Sequence, residues 1–174
     1  MPGGGGVTRN GLTVLGIVSA GIVLAADQAS KWWVLHALDL PARGSIAVLP
    51  VLNLTLVANH GVTFGLLDAA GPWARPLLVA GALLIVALLG VWLRRAERRV
   101  VAVALGAIAG GAIGNVIDRL RYGAVVDFIH AHAFGHSWYV FNVADAAIVC
   151  GVGALILDGM RRRDGRLAGA ADQV

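Results

Sequence analysis

The sequence predicts an α-helical integral membrane protein: four transmembrane helices with a small extracytoplasmic β-element in the loop between the first and second. Three observations carry that reading. Charged residues make up 14% of the chain and mean hydropathy is +0.78, whereas a soluble domain carries about 25% charged residues. Four apolar stretches each approach the roughly 20 residues that cross a hydrocarbon core. The arginines gather at the ends of those stretches, so the net charge of +4 is no sign of a nucleic-acid partner. Membrane lipid is the expected surrounding.

Taken in order, residues 1–10, with their PGGGG run, read as a flexible cytoplasmic N-terminus. Residues 11–160 read as a single four-helix membrane domain and residues 161–174 as a cytoplasmic C-terminal tail. The first span runs from about Gly11 to Ala26 and is short unless it continues past Asp27. Arg9, the apolar stretch and LAAD also mimic the three regions of a cleaved signal peptide. Against that, the polar cluster DQASK follows at once, and removing this span would leave an odd number of helices. In the loop from Asp27 to Gly71, Leu52, Leu54 and Leu56 alternate with Asn53 and Thr55 between Pro50 and Gly61. That pattern predicts one or two short strands on the membrane surface. The remaining spans are expected near Pro72–Leu93, Val100–Ile117 and Trp138–Gly159; in lipid such runs must be helices, because each backbone polar group needs an internal partner.

Arginine sets the orientation. RRAERR (Arg94 to Arg99) and Arg161, Arg162, Arg163 and Arg166 belong on the cytoplasmic side by the positive-inside rule. Both termini are then cytoplasmic, and the loops 27–71 and 118–137 face outward. Trp32, Trp33, Trp73 and Trp138 fall near outer ends of spans and Trp92 near an inner end, where aromatic belts form. The single cysteine, Cys150, excludes an internal disulfide and reads as a small hydrophobe buried in AAIVCGVGALIL.

Within or beside the spans stand Asp27, Asn59, Asn115, Asp118, Arg119, Asp127, Asn142 and Asp145. Polar groups at such depth are expensive and mark candidate sites, and all of these map to outer helix ends or outer loops. Asn115, Asp118 and Arg119 share one side of a helix end. Gly106, Gly110, Gly111 and Gly114 let another helix approach closely. Asn142 and Asp145, three apart, share a face near the start of span four, and Asp127 lies in a β-branched, extended segment.

Two explanations compete for the carboxylates. Asp27 with Lys31, and Asp118 with Arg119 or Arg121, could be ion pairs closing helix ends. Asp127 and Asp145 have no lysine or arginine at i±3 or i±4. Two carboxylates brought together without a cation cannot both ionise easily and share a proton. Such a pair can activate water with one carboxylate and polarise a carbonyl with the other. His130, His132 and His136 are spaced so that they could hold a metal, yet no HExxH pattern occurs and a headgroup-facing loop explains them as well.

The motifs DQASK (Asp27 to Lys31), NHGVTFG (Asn59 to Gly65), GGAIGNVIDR (Gly110 to Arg119), VVDF (Val125 to Phe128) and FNVAD (Phe141 to Asp145) together resemble bacterial lipoprotein signal peptidase, signal peptidase II, along nearly the whole chain. The resemblance implies an intramembrane aspartyl endopeptidase that removes signal peptides from diacylglyceryl-modified prolipoproteins, cutting just before the lipidated cysteine. It implies Asp127 and Asp145 as catalytic residues. Asn59, Gly61, Asn115, Arg119 and Asn142 would bind substrate, and Asp27, Lys31 and Asp118 would take structural or supporting roles. No metal or organic cofactor is implied, and a monomer is expected. Two departures stand out: Thr63 occupies a position where the family more often has alanine or serine, and IHAHAFGHSWY is rich in histidine.

Two rivals remain. Intramembrane aspartyl proteases of the presenilin or prepilin-peptidase type carry GxGD, which is absent. A non-catalytic transporter subunit or lipid-binding scaffold would use the polar cluster to hold a headgroup, but the four spans lack the paired halves such transporters show.

Overall fold

The computed structural model describes residues 8–61 and 73–171. Most of the N-terminal segment read as flexible, and Thr63, lie outside the described residues. Helix α1 spans Arg9–Trp32, opened by Thr8, whose hydroxyl accepts the Gly11 N–H at 3.2 Å. It does not stop at Ala26. It passes Asp27 and runs on through a π-helical segment, Trp33–Ala37, so the first apolar run becomes a 29-residue span. The helix can continue because Asp27 and Lys31 are buried against neighbours that satisfy them.

After a four-residue helix α2 (Leu40–Arg43) and a hairpin come α3 (Ala74–Leu93), α4 (Arg99–Tyr122) and α5 (Val143–Ala171). Gly123, at φ +80°, ends α4 by turning its N–H back to the Arg119 carbonyl at 3.2 Å, a left-handed cap that glycine adopts without steric cost. The last helix begins later than expected. Trp138 bonds to the Ala131 carbonyl and Phe141 bridges Ile129, which holds residues 138–141 against the sheet rather than in the helix. Helix α5 then runs past residue 160 to Ala171. The four long helices α1, α3, α4 and α5 are each long and apolar enough to cross a membrane.

Helix α4 is the centre of the bundle: half of its apolar stretch is buried, and none of that in α3 is. Its glycines explain this. A Cβ at Gly106 or Gly110 would run into the backbone of Gly16 or Ala20 on α1, and one at Gly111 would meet the Ala144 carbonyl on α5. At the end of the bundle where α4 begins, Leu12, Leu93, Ala96, Ala102 and Leu105 form an apolar cluster, beside an ion pair between Arg98 and Asp158. Cys150 is exposed on the outer surface of α5, contrary to its reading as buried. In a span that is apolar all round, composition does not tell the lipid face from the packed one.

The β-element is larger than one loop can supply. Strands β1 (Ser45–Leu49) and β2 (Leu52–Asn59) are joined by β3 (Val125–Ala133) and β4 (His136–Ser137) in an antiparallel sheet ordered β1-β2-β3-β4. Half of it therefore comes from the segment between α4 and α5. Phe128 packs with Val34 and Leu40, joined by Ile46, Leu54 and Leu56, which docks the sheet on the extension of α1. Asp127, one residue earlier, points to the opposite face. Pairing of Val57 with Asp127 and of Asn59 with Val125 brings the end of β2 beside it.

Candidate active site

Four elements deliver the predicted polar residues to one place: β2 brings Asn59, β3 Asp127, α4 Asn115 and Arg119, and the start of α5 Asn142 and Asp145. Asp127 is 1% exposed. Its Oδ2 accepts from Asn59 Nδ2 at 3.0 Å and its Oδ1 from Asn142 Nδ2 at 2.6 Å. Asp145 accepts from Asn115 Nδ2 at 2.9 Å on Oδ1 and from the Asn142 backbone N–H at 3.3 Å on Oδ2. Each of the four carboxylate oxygens thus receives an N–H, and Asn142 touches both aspartates.

Asn142 and Asp145 also form a reciprocal cap. The Asp145 N–H donates to Asn142 Oδ1 at 2.9 Å while the Asp145 carboxylate takes the Asn142 N–H. This is the capping-box geometry of a helix N-terminus. Sequence reasoning read the pair as two residues on one helix face; the spacing of three just before an apolar run could have shown the cap. Arg119 reaches from α4 to the Gly61 carbonyl at 3.3 Å, and Gly61 donates its N–H to Asn59 Oδ1 at 3.2 Å. The Arg119 Nε is buried with no partner among the described residues.

Behind this pair lies a second polar layer. Lys31 Nζ stands 2.8 Å from Asp27 Oδ2 and 2.6 Å from Asp118 Oδ2, and both aspartates are wholly buried. Asp27 pairs with Lys31 as the i, i+4 spacing allows. Asp118 does not pair with Arg119 or Arg121. It faces α1, whereas Arg119 reaches toward β2 and Arg121 lies over the Tyr122 ring. Asp27 Oδ1 further accepts the Ala144 N–H at 3.0 Å and Asp118 Oδ2 the Val126 N–H at 3.2 Å, so the layer ties α1 and α4 to α5 and β3. Gln28, which sequence reasoning quoted only within its motif, donates to Asp27 and Asp118 at 3.1 and 3.0 Å. Its place next to Asp27 was the only signal.

Among the described residues, no three His, Cys, Asp or Glu side chains come together as a metal site. His130 lies within hydrogen-bond reach of Thr55 and Ser137, and its ring centroid is 5.6 Å from that of His132.

Burial pushes the Asp127 carboxyl up to about 6; the Asp145 charge pushes the same way, while the amides of Asn59 and Asn142 and the Lys31 charge oppose it. A carboxyl held above its ordinary 3.8 binds a proton in the folded state that the unfolded chain has already lost. Stability therefore falls as pH rises from about 4 through about 6 and stays lowered above that. The full shift corresponds to about 3 kcal/mol. An uncharged Asp127→Asn gives up one acceptor, which returns about 1 kcal/mol of the gain. We expect Asp127→Asn to melt higher than wild type at pH 7.5 and the gap to close toward pH 4.5. Thermal unfolding in detergent across that range checks it, and a gap independent of pH would contradict it.

Fold and site together define a class: a multi-pass helical membrane protein whose polar residues gather at one end of the bundle, against a small sheet. The sequence matches the family described as signal peptidase (SPase) II over residues 19–161. It is 52% identical over 146 residues to the lipoprotein signal peptidase of Methylorubrum extorquens (strain PA1), covering 84% of this chain and 85% of that one. To the lipoprotein signal peptidase of Methylobacterium sp. (strain 4-46) it is 48% identical over 145 residues, covering 83% and 88%. A solved structure described as a bacterial membrane enzyme superposes with a TM-score of 0.75 at 28% identity, covering 86% of this chain and 90% of that one. A second, described in the same words, gives 0.71 at 29% identity, covering 82% and 90%. The chain belongs to the signal peptidase II family.

Proposed function

We propose that this protein is an intramembrane aspartyl endopeptidase that removes signal peptides from diacylglyceryl-modified prolipoproteins, cutting just before the lipidated cysteine. One observation carries the chemistry: Asp127 and Asp145 are linked through a single residue, Asn142, whose side-chain amide donates to the first and whose backbone N–H donates to the second, and neither is paired to a cation among the described residues. In such a dyad one carboxylate takes a proton from the attacking water while the other, protonated, polarises the scissile carbonyl. Asn59, Gly61, Asn115, Arg119 and Asn142 form the substrate-binding rim. The buried Nε of Arg119, without a partner among the described residues, is a donor suited to a peptide carbonyl, because a substrate oxygen there would relieve the cost of leaving it unsatisfied. None of these steps calls for a metal or organic cofactor.

The choice of substrate rests on the family relatives, which are lipoprotein signal peptidases, and on depth. A substrate anchored by two acyl chains presents its scissile bond at the membrane surface. The dyad is met on α4 by Asn115, 16 residues from Arg99 at the arginine-bearing start of that helix; that is about 24 Å of helix, most of the way across a hydrocarbon core about 30 Å thick. We therefore orient Arg94, Arg95, Arg98 and Arg99 toward the cytoplasm of the bacterial inner membrane, with both termini on that side and the dyad at the extracytoplasmic face. The enzyme acts as a monomer.

The test is processing of a diacylglyceryl-modified prolipoprotein by purified protein in detergent, with the cut located by mass spectrometry. Release of a product beginning with the lipidated cysteine is expected. Cleavage elsewhere, or equal cleavage of the unlipidated precursor, would overturn the substrate assignment.

A further inference from the structure

Three side-chain amides face the two aspartates, and an amide can aim either N–H or C=O at a neighbour with almost no change of shape. Its direction is fixed by whatever holds its oxygen. Asn142 Oδ1 accepts the Asp145 backbone N–H at 2.9 Å, and Asn59 Oδ1 accepts the Gly61 backbone N–H at 3.2 Å. A backbone N–H can only donate, so those two amides are pinned. Asn115 has no backbone pin among the described contacts. Its Oδ1 is held by Lys31 Nζ at 3.2 Å and by one N–H of Asn142 Nδ2 at 3.3 Å, the other N–H of that nitrogen going to Asp127 at 2.6 Å; of the two donors only the lysine is charged.

The ammonium has three donors and no acceptor, and its three partners are Asp27, Asp118 and the Asn115 oxygen. A lysine that only balanced buried charge would need the two carboxylates alone. The third donor is aimed at the one catalytic-layer amide whose oxygen no backbone N–H holds among the described residues. Without it, only the longer, uncharged contact from Asn142 opposes a turn of Asn115 that aims its oxygen at a protonated Asp145. With it, that turn would set N–H against an ammonium.

We propose that Lys31 is a positioning residue: by holding the Asn115 oxygen it keeps that amide's N–H on Asp145 and so fixes the hydrogen bonding on which the dyad's proton transfers depend. This rests on the dyad reading above. Among the described residues, the charged groups facing the pair are Lys31 from α1 and Arg119 from α4, with Asp27 and Asp118 behind them on Lys31, and each aspartate itself.

Lys31→Met alone would strand two buried carboxylates and could fail to fold. The decisive variant is Lys31→Met with Asp27→Asn and Asp118→Asn. It removes the three charges together, while an amide oxygen at 27 and at 118 can still accept the Ala144 and Val126 N–H groups. Asp158→Asn, which breaks the ion pair with Arg98 at the far end of the bundle, serves as a control for lost stability. The folded triple variant is expected to show kcat reduced about 10- to 100-fold, the scale of a slightly misplaced catalytic group. KM should stay within about twofold and the pH–rate profile should be displaced. The Asp158→Asn control should keep kcat and the wild-type profile. A folded triple variant with wild-type kcat and profile overturns the proposal, as does a control whose kcat falls equally. Asp145→Asn is run beside them; if it retains turnover, the dyad reading itself fails and takes this proposal with it.

Discussion

Asp127→Asn and Asp145→Asn are each expected to lower kcat for prolipoprotein cleavage by about 10²- to 10⁴-fold, the range for losing a positioned acid–base group. The double variant should be little worse than either single one, because groups acting as a unit are not additive. Asparagine keeps shape but can neither take a proton from water nor lend one to a carbonyl. The two variants differ in structural cost. At 127, the new N–H₂ confronts the N–H₂ of Asn59 or Asn142, both held by backbone N–H groups, but relief of a buried charge offsets it. At 145, an amide can still accept the Asn142 N–H, but its own N–H₂ then confronts the Asn115 N–H₂, which Lys31 prevents from turning away. Asp145→Asn should therefore melt lower than Asp127→Asn although both are inactive. Steady-state kinetics with a melting curve for each variant checks both parts. Turnover within tenfold of wild type in either would remove that residue from the chemistry.

What the sequence revealed of this architecture, and what it hid, divides along sequence distance. The spans were readable because a hydrocarbon core demands a run of apolar residues whatever surrounds it. The close approach to α4 was readable because glycines at helical spacing have few other uses there. Asp127 and Asp145 stood out because no cation lies near them in sequence, and in the structure their oxygens are met by amides rather than by charge.

The partner of Asp118 was misjudged for the converse reason. Arg119 and Arg121 are adjacent in sequence, but a helix turns about 100° per residue, and the side of α4 that carries Asp118 is covered by Lys31 from the first span. Likewise VVDF could be read as extended, but not that β3 would complete a sheet begun 80 residues earlier. Local pattern reveals which residues need partners; long-range packing decides which partners they meet.

That dependence on packing leads to the second large effect. Gly110→Leu is expected to lower the melting temperature by more than about 10 °C, or to prevent recovery of folded protein, because overpacking a close helix contact costs several kcal/mol. At Gly110 even a Cβ would collide with the Ala20 backbone, and backbone cannot swing aside as a side-chain tip can. Helices α1 and α4 would have to part. Gly110 lies about two turns before Asp118 on α4 and Ala20 about two turns before Asp27 on α1, so the separation would open the layer where Lys31 joins those aspartates and meets Asn115. Any protein that does fold should therefore lose turnover by about 100-fold or more, the scale of a displacement near 1 Å. Gly81→Leu on α3 is the matched control: nothing lies within 4 Å of a Cβ there, so the same substitution should leave melting and kcat near wild type. If Gly110→Leu behaves like Gly81→Leu, the close α1–α4 contact is not what holds the site together.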